Sequence, residues 1–265
     1  MRLKDRVAIV TGGGKGIGKA ISLAFASEGA SVVVAATTLS KIEETAEQIR
    51  SMGGGAKAVQ TDVSDEKQVQ NLVEETVKEY GQIDILVNNS GIGGPTSRVA
   101  DLNLDDWNRV IAIDLTGSML CAKHVLKHML PRKGGVIINM GAEGGRAGDG
   151  RSGYPMRSPY CCAKMGIIGL TETLAVEVGQ YNIRVNAISP AAVKGERLIN
   201  VFKGRAEASG IPFDELWSKL TANYSLGRVT EEPDVAAAAV FLASDESRAI
   251  TGQTLVIHCG LHVVF

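Results

Sequence analysis

The 265-residue sequence predicts a single α/β domain with a doubly wound parallel sheet, covered by helices on both faces. Short β-branched runs alternate with longer helical patterns, which is typical of βαβ units. A glycine-rich turn follows the first run, where folds of this class bind nucleotides. No repeat or Pro/Ser-rich linker divides the chain, so one domain over residues 1–265 is favoured over two.

Seven short runs rich in Val, Ile or Leu are predicted as strands. They cover residues 7–10, 31–34, 58–60, 83–87, 136–138, 184–188 and 254–257. Six helical patterns lie between them, at residues 16–28, 40–51, 65–79, 105–130, 159–179 and 233–243. Residues 191–225 break the alternation, and we expect an irregular insertion there, either a substrate lid beside the sheet or a plain packing excursion.

Charge and cysteine spacing argue against several classes of protein. The chain has 28 basic and 29 acidic residues, which gives no electrostatic reason to bind nucleic acid or an anionic membrane surface. Its start lacks the apolar core of a signal peptide, and no stretch is apolar enough to span a bilayer. The four cysteines have no zinc-like spacing, and two are adjacent. We therefore expect a cytoplasmic protein with reduced thiols and no metal site.

The turn after the first strand reads Thr-Gly-Gly-Gly-Lys-Gly-Ile-Gly over residues 11–18. Its glycines would let backbone N–H groups approach a pyrophosphate, and the helix N-terminus that follows favours negative charge. The turn has no Gly-Lys-Ser or Gly-Lys-Thr, so it is not a Walker A loop. It predicts dinucleotide binding rather than a plain tight turn.

The end of the second strand bears on the choice of cofactor. An acidic residue there would bind the adenosine ribose of NAD, whereas a basic one would accommodate the 2′-phosphate of NADP. The sequence has two alanines followed by Thr37 and Thr38, so this carboxylate is missing. Lys15, Lys41 and the two threonine hydroxyls could accommodate a phosphate. The sequence therefore predicts NADP(H) in preference to NAD(H).

Tyr160 and Lys164 are four residues apart and would share one face of a helix. The cation can lower the pKa of the phenol and favour tyrosinate, which could act as a general acid or base. Ser158 is expected to be the helix N-cap, with Pro159 in the first turn. Taken alone, the pair is equally typical of an ordinary amphipathic helix.

Six motifs together resemble the short-chain dehydrogenase/reductase family in order and spacing, over essentially the whole chain. They are Thr11-Gly12-x-x-x-Gly16-x-Gly18, Asp62-Val63, Asn88-Asn89-Ser90-Gly91, Tyr160-x-x-x-Lys164, Arg184-Val185-Asn186 and Thr251-Gly252-Gln253. The resemblance implies a Rossmann-like sheet of seven parallel strands and a nicotinamide cofactor. It also implies an oligomer, either a homotetramer or a heterotetramer with a paralogous subunit.

The resemblance further implies the site residues. The glycine turn would hold the pyrophosphate, Asp62 and Val63 the adenine, and Asn89 and Gly91 the adenosine ribose. For Asp62 the alternative is a helix cap. The full cofactor-binding set is Gly12, Lys15, Gly16, Ile17, Gly18, Thr37, Asp62, Val63, Asn89, Gly91, Tyr160, Lys164, Pro190 and Val193. The catalytic residues would be Tyr160, which exchanges a proton with the substrate oxygen, and Lys164, which tunes the tyrosine and binds the nicotinamide ribose.

Two of the usual catalytic positions depart from the family pattern. The serine that usually steadies the substrate oxygen falls on Ala142 or Ala147, depending on whether the alignment starts from the fifth strand or from the tyrosine. The usual asparagine of the long helix is Asp114. A carboxylate near Lys164 would compete for its charge and raise the pKa of Tyr160.

Two hypotheses follow from this altered site. The first is an NAD(P)(H)-dependent oxidoreductase that interconverts a secondary alcohol and a ketone, 3-oxoacyl thioesters included, with Tyr160 as acid and base. Ser152, Ser158 or Glu143 would then supply the missing donor near the substrate oxygen. The second is a non-catalytic subunit that pairs with an active paralogue in a hetero-oligomeric hydroxyacyl-CoA dehydrogenase.

Overall fold

The fold is given by a computed structural model, which describes residues 1–142 and 154–261. Nine strands lie in these ranges: β1 Val7–Thr11, β2 Ser31–Ala36, β3 Ala56–Gln60, β4 Ile85–Asn88, β5 Gly135–Met140, β6 Ile183–Pro190, β7 Val193–Lys194, β8 Thr230–Glu231 and β9 Thr254–Ile257. Seven of them form one sheet in the order β3-β2-β1-β4-β5-β6-β9, and every pairing is parallel. The predicted seven-stranded parallel sheet is confirmed.

The described helices are α1 Gly16–Ser27, α2 Leu39–Ser51, α3 Glu66–Tyr80, α4 Leu104–Ile111, α5 Gly117–Arg132, α6 Ser158–Val178, α7 Glu196–Ser209, α8 Phe213–Thr221 and α9 Glu232–Ala243. The predicted continuous helix over residues 105–130 is wrong in one respect. A π-helical turn, Ala112–Thr116, separates α4 from α5. Among the described residues, no helix is both long and apolar enough to cross a membrane.

Helices cover both faces of the sheet, which is why the strands are apolar on both sides. Successive residues of β1 alternate between two core clusters. Ala8 and Val10 pack with Phe25 of α1 and Val240 of α9 on one face, whereas Ile9 packs on the opposite face among residues of α3, α5 and α6. The core therefore has two layers, as a doubly wound fold requires.

The strand order places the site. β1 lies between β2 and β4, so the chain reverses direction along the sheet at β1. In open parallel sheets, a crevice that binds ligands opens where the order reverses, beyond the carboxyl ends of the strands. The glycine-rich turn after β1 and the loop after β4 flank this crevice.

Residues 191–225 are not irregular, and that expectation is wrong. They carry α7 and α8, whose aromatic residues form one cluster. The Trp217 ring centroid lies 5.6 Å from that of Phe202 and 5.5 Å from that of Phe213. Burial of these rings against one another stabilises two helices that the glycines in this stretch make difficult to predict. The small parallel pair of β7 and β8 beside them was also not predicted.

Candidate active site

The glycine-rich turn between β1 and α1 needs its glycines for steric reasons. Gly12 and Gly16 have φ values of 66° and 56°, which other residues rarely adopt. A Cβ on Gly18 would overlap the carbonyl group of Gly12, and a Cβ on Gly12 would lie 2.7 Å from Asn89 Nδ2. No described side chain caps the start of α1, so its first N–H groups are available to an anion.

Thr11 and Asn89 join the turn to the end of β4. Thr11 Oγ1 donates to Val87 O at 3.2 Å and accepts from the N–H groups of Asn89 and Ser90 at 3.0 and 3.1 Å. Asn89 Nδ2 donates to Thr11 O at 2.9 Å. The predicted ribose-binding residue Asn89 is therefore fixed beside the predicted pyrophosphate-binding turn.

Asp62 and Val63 lie between β3 and α3. Asp62 Oδ1 accepts from Ser64 N at 2.9 Å and from Ser64 Oγ at 2.7 Å, so Asp62 closes the connecting turn. The alternative interpretation of Asp62 as a helix cap is wrong, because Asp65 caps α3. The Val63 side chain is buried in close contact with Gly117 of α5, so its main chain is the part that could face an adenine.

The end of β2 has no carboxylate, as the sequence predicts. Thr37 is exposed there, and its carbonyl accepts from Gln60 Nε2 at 2.8 Å. Lys15 is exposed at the start of α1. The Lys41 ammonium group is already paired with Glu44 at 3.2 Å. Of the two predicted lysines, Lys15 is thus the one whose charge has no carboxylate partner among the described residues.

Pro190 and Val193 complete the carboxyl edge of the sheet. Pro190 is the last residue of β6, is buried, and pairs with Ile257 of β9. Val193 lies in β7 opposite Thr230. Val193 and Ile17 both pack, partly buried, against the core cluster of α1 and α9. The structure thereby places these two residues on the same side of the sheet.

Tyr160 and Lys164 lie on the first two turns of α6. Lys164 Nζ is 5.7 Å from the centroid of the Tyr160 ring and donates to Met140 O, at the end of β5, at 3.0 Å. The predicted cap is wrong: Arg157 is the N-cap, and Ser158 is the first helical residue. Within the described residues, the buried Ser158 hydroxyl has no hydrogen-bond partner.

Lys164 and Asp114 form a buried ion pair. Their side chains are 7% and 0% exposed, with Nζ 3.5 Å from Asp114 Oδ2. Burial lowers the pKa of Lys164, and the nearby Asp114 carboxylate acts in the opposite direction. A buried charge without a partner of opposite sign is costly, so each of the two groups stabilises the other in this position.

Asp114 belongs to the π-helical turn and contacts a second element of the site. Its Oδ1 accepts from Ile92 N at 2.7 Å, and a Cβ on Gly91 would lie 3.0 Å from its Oδ2. One carboxylate therefore joins the loop after β4 to Lys164 of α6. π-Helical turns of this kind occur frequently at functional sites.

Of the two alanines that could occupy the serine position, the structure describes one. Ala142 is buried two residues after Met140, whose carbonyl accepts from Lys164. Ala142 therefore lies just beyond the end of β5, which the Lys164 ammonium group reaches. Ala147, Glu143 and Ser152 lie outside the described residues.

The structure brings two further charged residues to the site that sequence reasoning missed. The Arg157 guanidinium lies 5.8 Å from the Tyr160 ring centroid. Glu232 Oε1 of α9 would be 2.9 Å from a Cβ on Gly195 and 3.7 Å from a Cβ on Gly16. The three-residue spacing of Arg157 and Tyr160 is a usable signal. Nothing local in the sequence places Glu232 beside the glycine turn.

Comparison with known proteins decides the family. The family model described as Enoyl-(Acyl carrier protein) reductase matches residues 12–262. A cis-4-hydroxycyclohexanecarboxylate dehydrogenase of Sinomonas cyclohexanicum is 35% identical, with 98% of each chain covered. The chain belongs to the short-chain dehydrogenase/reductase family. The resemblance in sequence motifs is thereby confirmed, and so is the expectation of an enzyme, an oxidoreductase with a nicotinamide cofactor.

Other members of the short-chain dehydrogenase/reductase family agree in sequence and in fold. A meso-2,3-butanediol dehydrogenase of Serratia marcescens is 34% identical over 98% of this chain and 96% of its own. The crystal structure of NAD+-bound xylitol dehydrogenase has a TM-score of 0.89 at 29% identity, covering 98% of this chain and 100% of its own. The whole domain is therefore built as in these dehydrogenases.

Proposed function

We propose that the protein is an NAD(P)(H)-dependent dehydrogenase or reductase that interconverts a secondary alcohol and a ketone. The observation that carries this proposal is the buried Lys164 ammonium group 5.7 Å from the Tyr160 ring centroid. A cation this close favours tyrosinate, so Tyr160 can take a proton from an alcohol or return one to a ketone oxygen. The two relatives described above support the substrate class, since both are named for dehydrogenation of a secondary alcohol.

The residues at the carboxyl edge of the sheet fit a dinucleotide. The glycine turn would hold the pyrophosphate, because Gly12 and Gly18 leave no room for side chains and α1 begins uncapped. Asp62 and Val63 would hold the adenine. Asn89 and Gly91 would line its ribose, and Pro190 and Val193 would lie beside the nicotinamide. When bound, the nicotinamide supplies or accepts the hydride.

The cofactor of this proposal is NADP(H) in preference to NAD(H). The end of β2 offers the exposed Thr37 hydroxyl where a carboxylate would select NAD. Lys15 is exposed nearby and could pair with a 2′-phosphate. Dissociation constants for NADP+ and NAD+, measured with the wild type and Lys15→Ala, test this choice. Tighter binding of NAD+ by the wild type would contradict it.

The proposed catalytic residues differ from the set that is usual in the short-chain dehydrogenase/reductase family. In this proposal Ala142 takes the serine position and Asp114 the asparagine position, so the substrate oxygen would have one hydrogen-bond donor fewer. Lys164 has a carboxylate partner in Asp114. Loss of one donor at a developing oxyanion typically costs about 10²–10³ in rate, which slows turnover without abolishing it. We therefore propose an active enzyme. The alternative of a non-catalytic subunit gains no support from the relatives, which are named as dehydrogenases.

The test of this function is turnover of NAD(P)(H) with a panel of secondary alcohols, ketones and 3-oxoacyl thioesters. Activity should fall at least about 10²-fold in Tyr160→Phe, because the acid and base is removed. Dinucleotide affinity should change far less. Equal turnover in wild type and Tyr160→Phe would overturn the assignment of Tyr160.

Ala142→Ser tests directly whether a hydroxyl donor is missing beside the substrate oxygen. A hydroxyl at this position should raise kcat by about tenfold, a part of the usual contribution of such a donor. Ala142→Val is the matched control, since it adds volume without a donor. A serine variant no faster than wild type would mean that Ala142 does not adjoin the substrate oxygen.

Two structural elements are assigned within the same proposal. We propose that α7 and α8 cover the substrate. A change in Trp217 fluorescence when substrate binds would report this.

The exposed apolar residues of α6 support the predicted tetramer, since Val176 is 85% exposed and Met165 is 42% exposed. Sedimentation of the wild type and Val176→Glu tests the assembly. A monomeric wild type would contradict it.

A further inference from the structure

Arg157 is held at the start of α6, one turn before Tyr160. Its Nη1 atom donates to the carbonyl of Gly94 at 3.4 Å and to Thr96 Oγ1 at 3.3 Å, both in the loop after β4. Its guanidinium carbon lies 5.8 Å from the centroid of the Tyr160 ring. The side chain is half-buried. Arg157 therefore joins the loop after β4 to the start of α6.

Toward the described residues, the Arg157 guanidinium keeps most of its hydrogen-bonding capacity. An arginine has five N–H donors, and the two known bonds both use Nη1. In the part of the chain that the structure describes, Nε and Nη2 have no acceptor and the charge has no carboxylate partner. The buried Asp114 carboxylate is committed to Lys164 and to Ile92 N. A half-buried cation with free donors is an anion-binding group.

The position along α6 relates this group to the substrate. Lys164 follows Tyr160 by four residues and reaches the end of β5, on the side of the proposed cofactor. Arg157 precedes Tyr160 by three residues and reaches the loop after β4. The two cations thus flank the phenol from opposite ends of the helical segment. An anion bound by Arg157 would therefore lie beside the Tyr160 ring.

We propose that the substrate of this enzyme carries a carboxylate, bound by Arg157, in addition to the alcohol or ketone that reacts at Tyr160. This inference rests on the proposed function and names its substrate class as hydroxy acids and oxo acids. A planar carboxylate matches the fork of Nε and Nη2, whereas a neutral alcohol would leave these donors without an acceptor. Arg157 is then a specificity-determining residue.

The experiment compares each acid with its uncharged ester. The probes are 3-hydroxybutyrate and 4-hydroxycyclohexanecarboxylate with their methyl esters, oxidised by wild type, Arg157→Ala and Arg157→Lys. For an acid, kcat/KM should fall about 10–100-fold in Arg157→Ala, mostly through KM, with a smaller loss in Arg157→Lys. For the esters, the variants should resemble wild type within about twofold. Arg98→Ala is the control, because it removes an equal charge from an exposed position in the loop that Arg157 contacts.

Three results would overturn the inference. The first is equal kcat/KM of wild type for the acids and the esters. The second is an equal loss for both in Arg157→Ala, which would give Arg157 a purely structural role. The third is a matching loss of dinucleotide affinity, which would assign the anion to a cofactor phosphate. Tyr160-dependent turnover of the esters in any of these cases would leave the proposed function standing, whereas absence of Tyr160-dependent turnover of every probe would contradict the function itself.

Discussion

The proposed site has two edges, the glycine turn after β1 and the start of α6, and they are built differently. At the glycine turn after β1, the contacts are made by main-chain groups and by the neutral side chains of Thr11 and Asn89. At the start of α6, the polar groups are charged: Lys164 is paired with Asp114, and Arg157 lies over the Tyr160 ring. Close packing of main-chain atoms determines the structure of the first edge, and interactions between charged groups determine that of the second.

This difference affects which substitutions each edge can accept. A glycine such as Gly18 has no substitute, because any side chain would overlap the carbonyl of Gly12. A charged group at the start of α6 is tolerated when a group of opposite charge lies beside it, as the Asp114 and Lys164 pair illustrates. The proposed dinucleotide edge therefore depends on close packing of the main chain, whereas the proposed catalytic edge depends on the pairing of charges.

The largest effect is expected when the Lys164 cation is removed. Lys164→Met should reduce kcat at least about 10²-fold, because tyrosinate is no longer favoured. It should also lower the free energy of unfolding by about 3–5 kcal/mol, because the Asp114 charge stays buried without a partner. Urea unfolding and steady-state kinetics measure the two losses.

The double variant Lys164→Met, Asp114→Asn separates these losses. Most of the stability should return, since the unpaired charge is gone, while activity should remain low. If the stability of the double variant stays as low as that of Lys164→Met, the ion pair is not what holds this edge together.

A steric change tests the opposite edge. Gly18→Ala should weaken dinucleotide binding at least about tenfold and lower the free energy of unfolding by about 1–3 kcal/mol, because the added methyl group meets the Gly12 carbonyl. Gly204→Ala is the control, since a Cβ there meets no atom within 4 Å. It should be neutral or stabilise α7 slightly. Calorimetric titration and thermal unfolding report both outcomes, and equal effects of the two changes would contradict the steric account.

The pH dependence tests the electrostatic account. Burial lowers the pKa of Lys164 and the Asp114 carboxylate raises it, so Asp114→Asn should lower this pKa further. Lys164 supports tyrosinate only below its own pKa, where it is charged. In alcohol oxidation, the alkaline loss of kcat/KM should therefore begin at a lower pH in Asp114→Asn than in wild type. An unchanged or higher alkaline limb would show that Asp114 does not sustain the lysine charge.

The smallest effect concerns Glu232, an acidic residue beside the glycine turn. Glu232 Oε1 would be 3.7 Å from a Cβ on Gly16, close to the proposed pyrophosphate site. Glu232→Gln should tighten dinucleotide binding by about two- to fivefold at low salt, and the gain should shrink as salt screens the repulsion. Glu74→Gln on α3 is the control. No gain at low salt would place the carboxylate too far from the phosphates to matter.

The sequence predicts the parts of this molecule that depend on local pattern. Alternating apolar runs give all seven strands of the main sheet, and the glycine spacing gives the turn after β1. The π-helical turn was missed because the apolar periodicity runs through it without interruption. The ring contacts that stabilise α7 and α8, such as Phe202 with Trp217, and the approach of Glu232 to Gly16 join residues far apart in the sequence. No local signal encodes them.

The π-helical turn Ala112–Thr116 makes the site depend on chain length as well as on composition. Such a turn holds one residue more than an α-helical turn, so it sets the rotational phase of α4 against α5. Removing that residue would turn α4 by roughly 100° and swing Val110 away from Gly94, the residue it packs against. Point substitutions across this segment would leave the phase untouched. Deletion of Ala112 would alter it while every side chain of the site was kept.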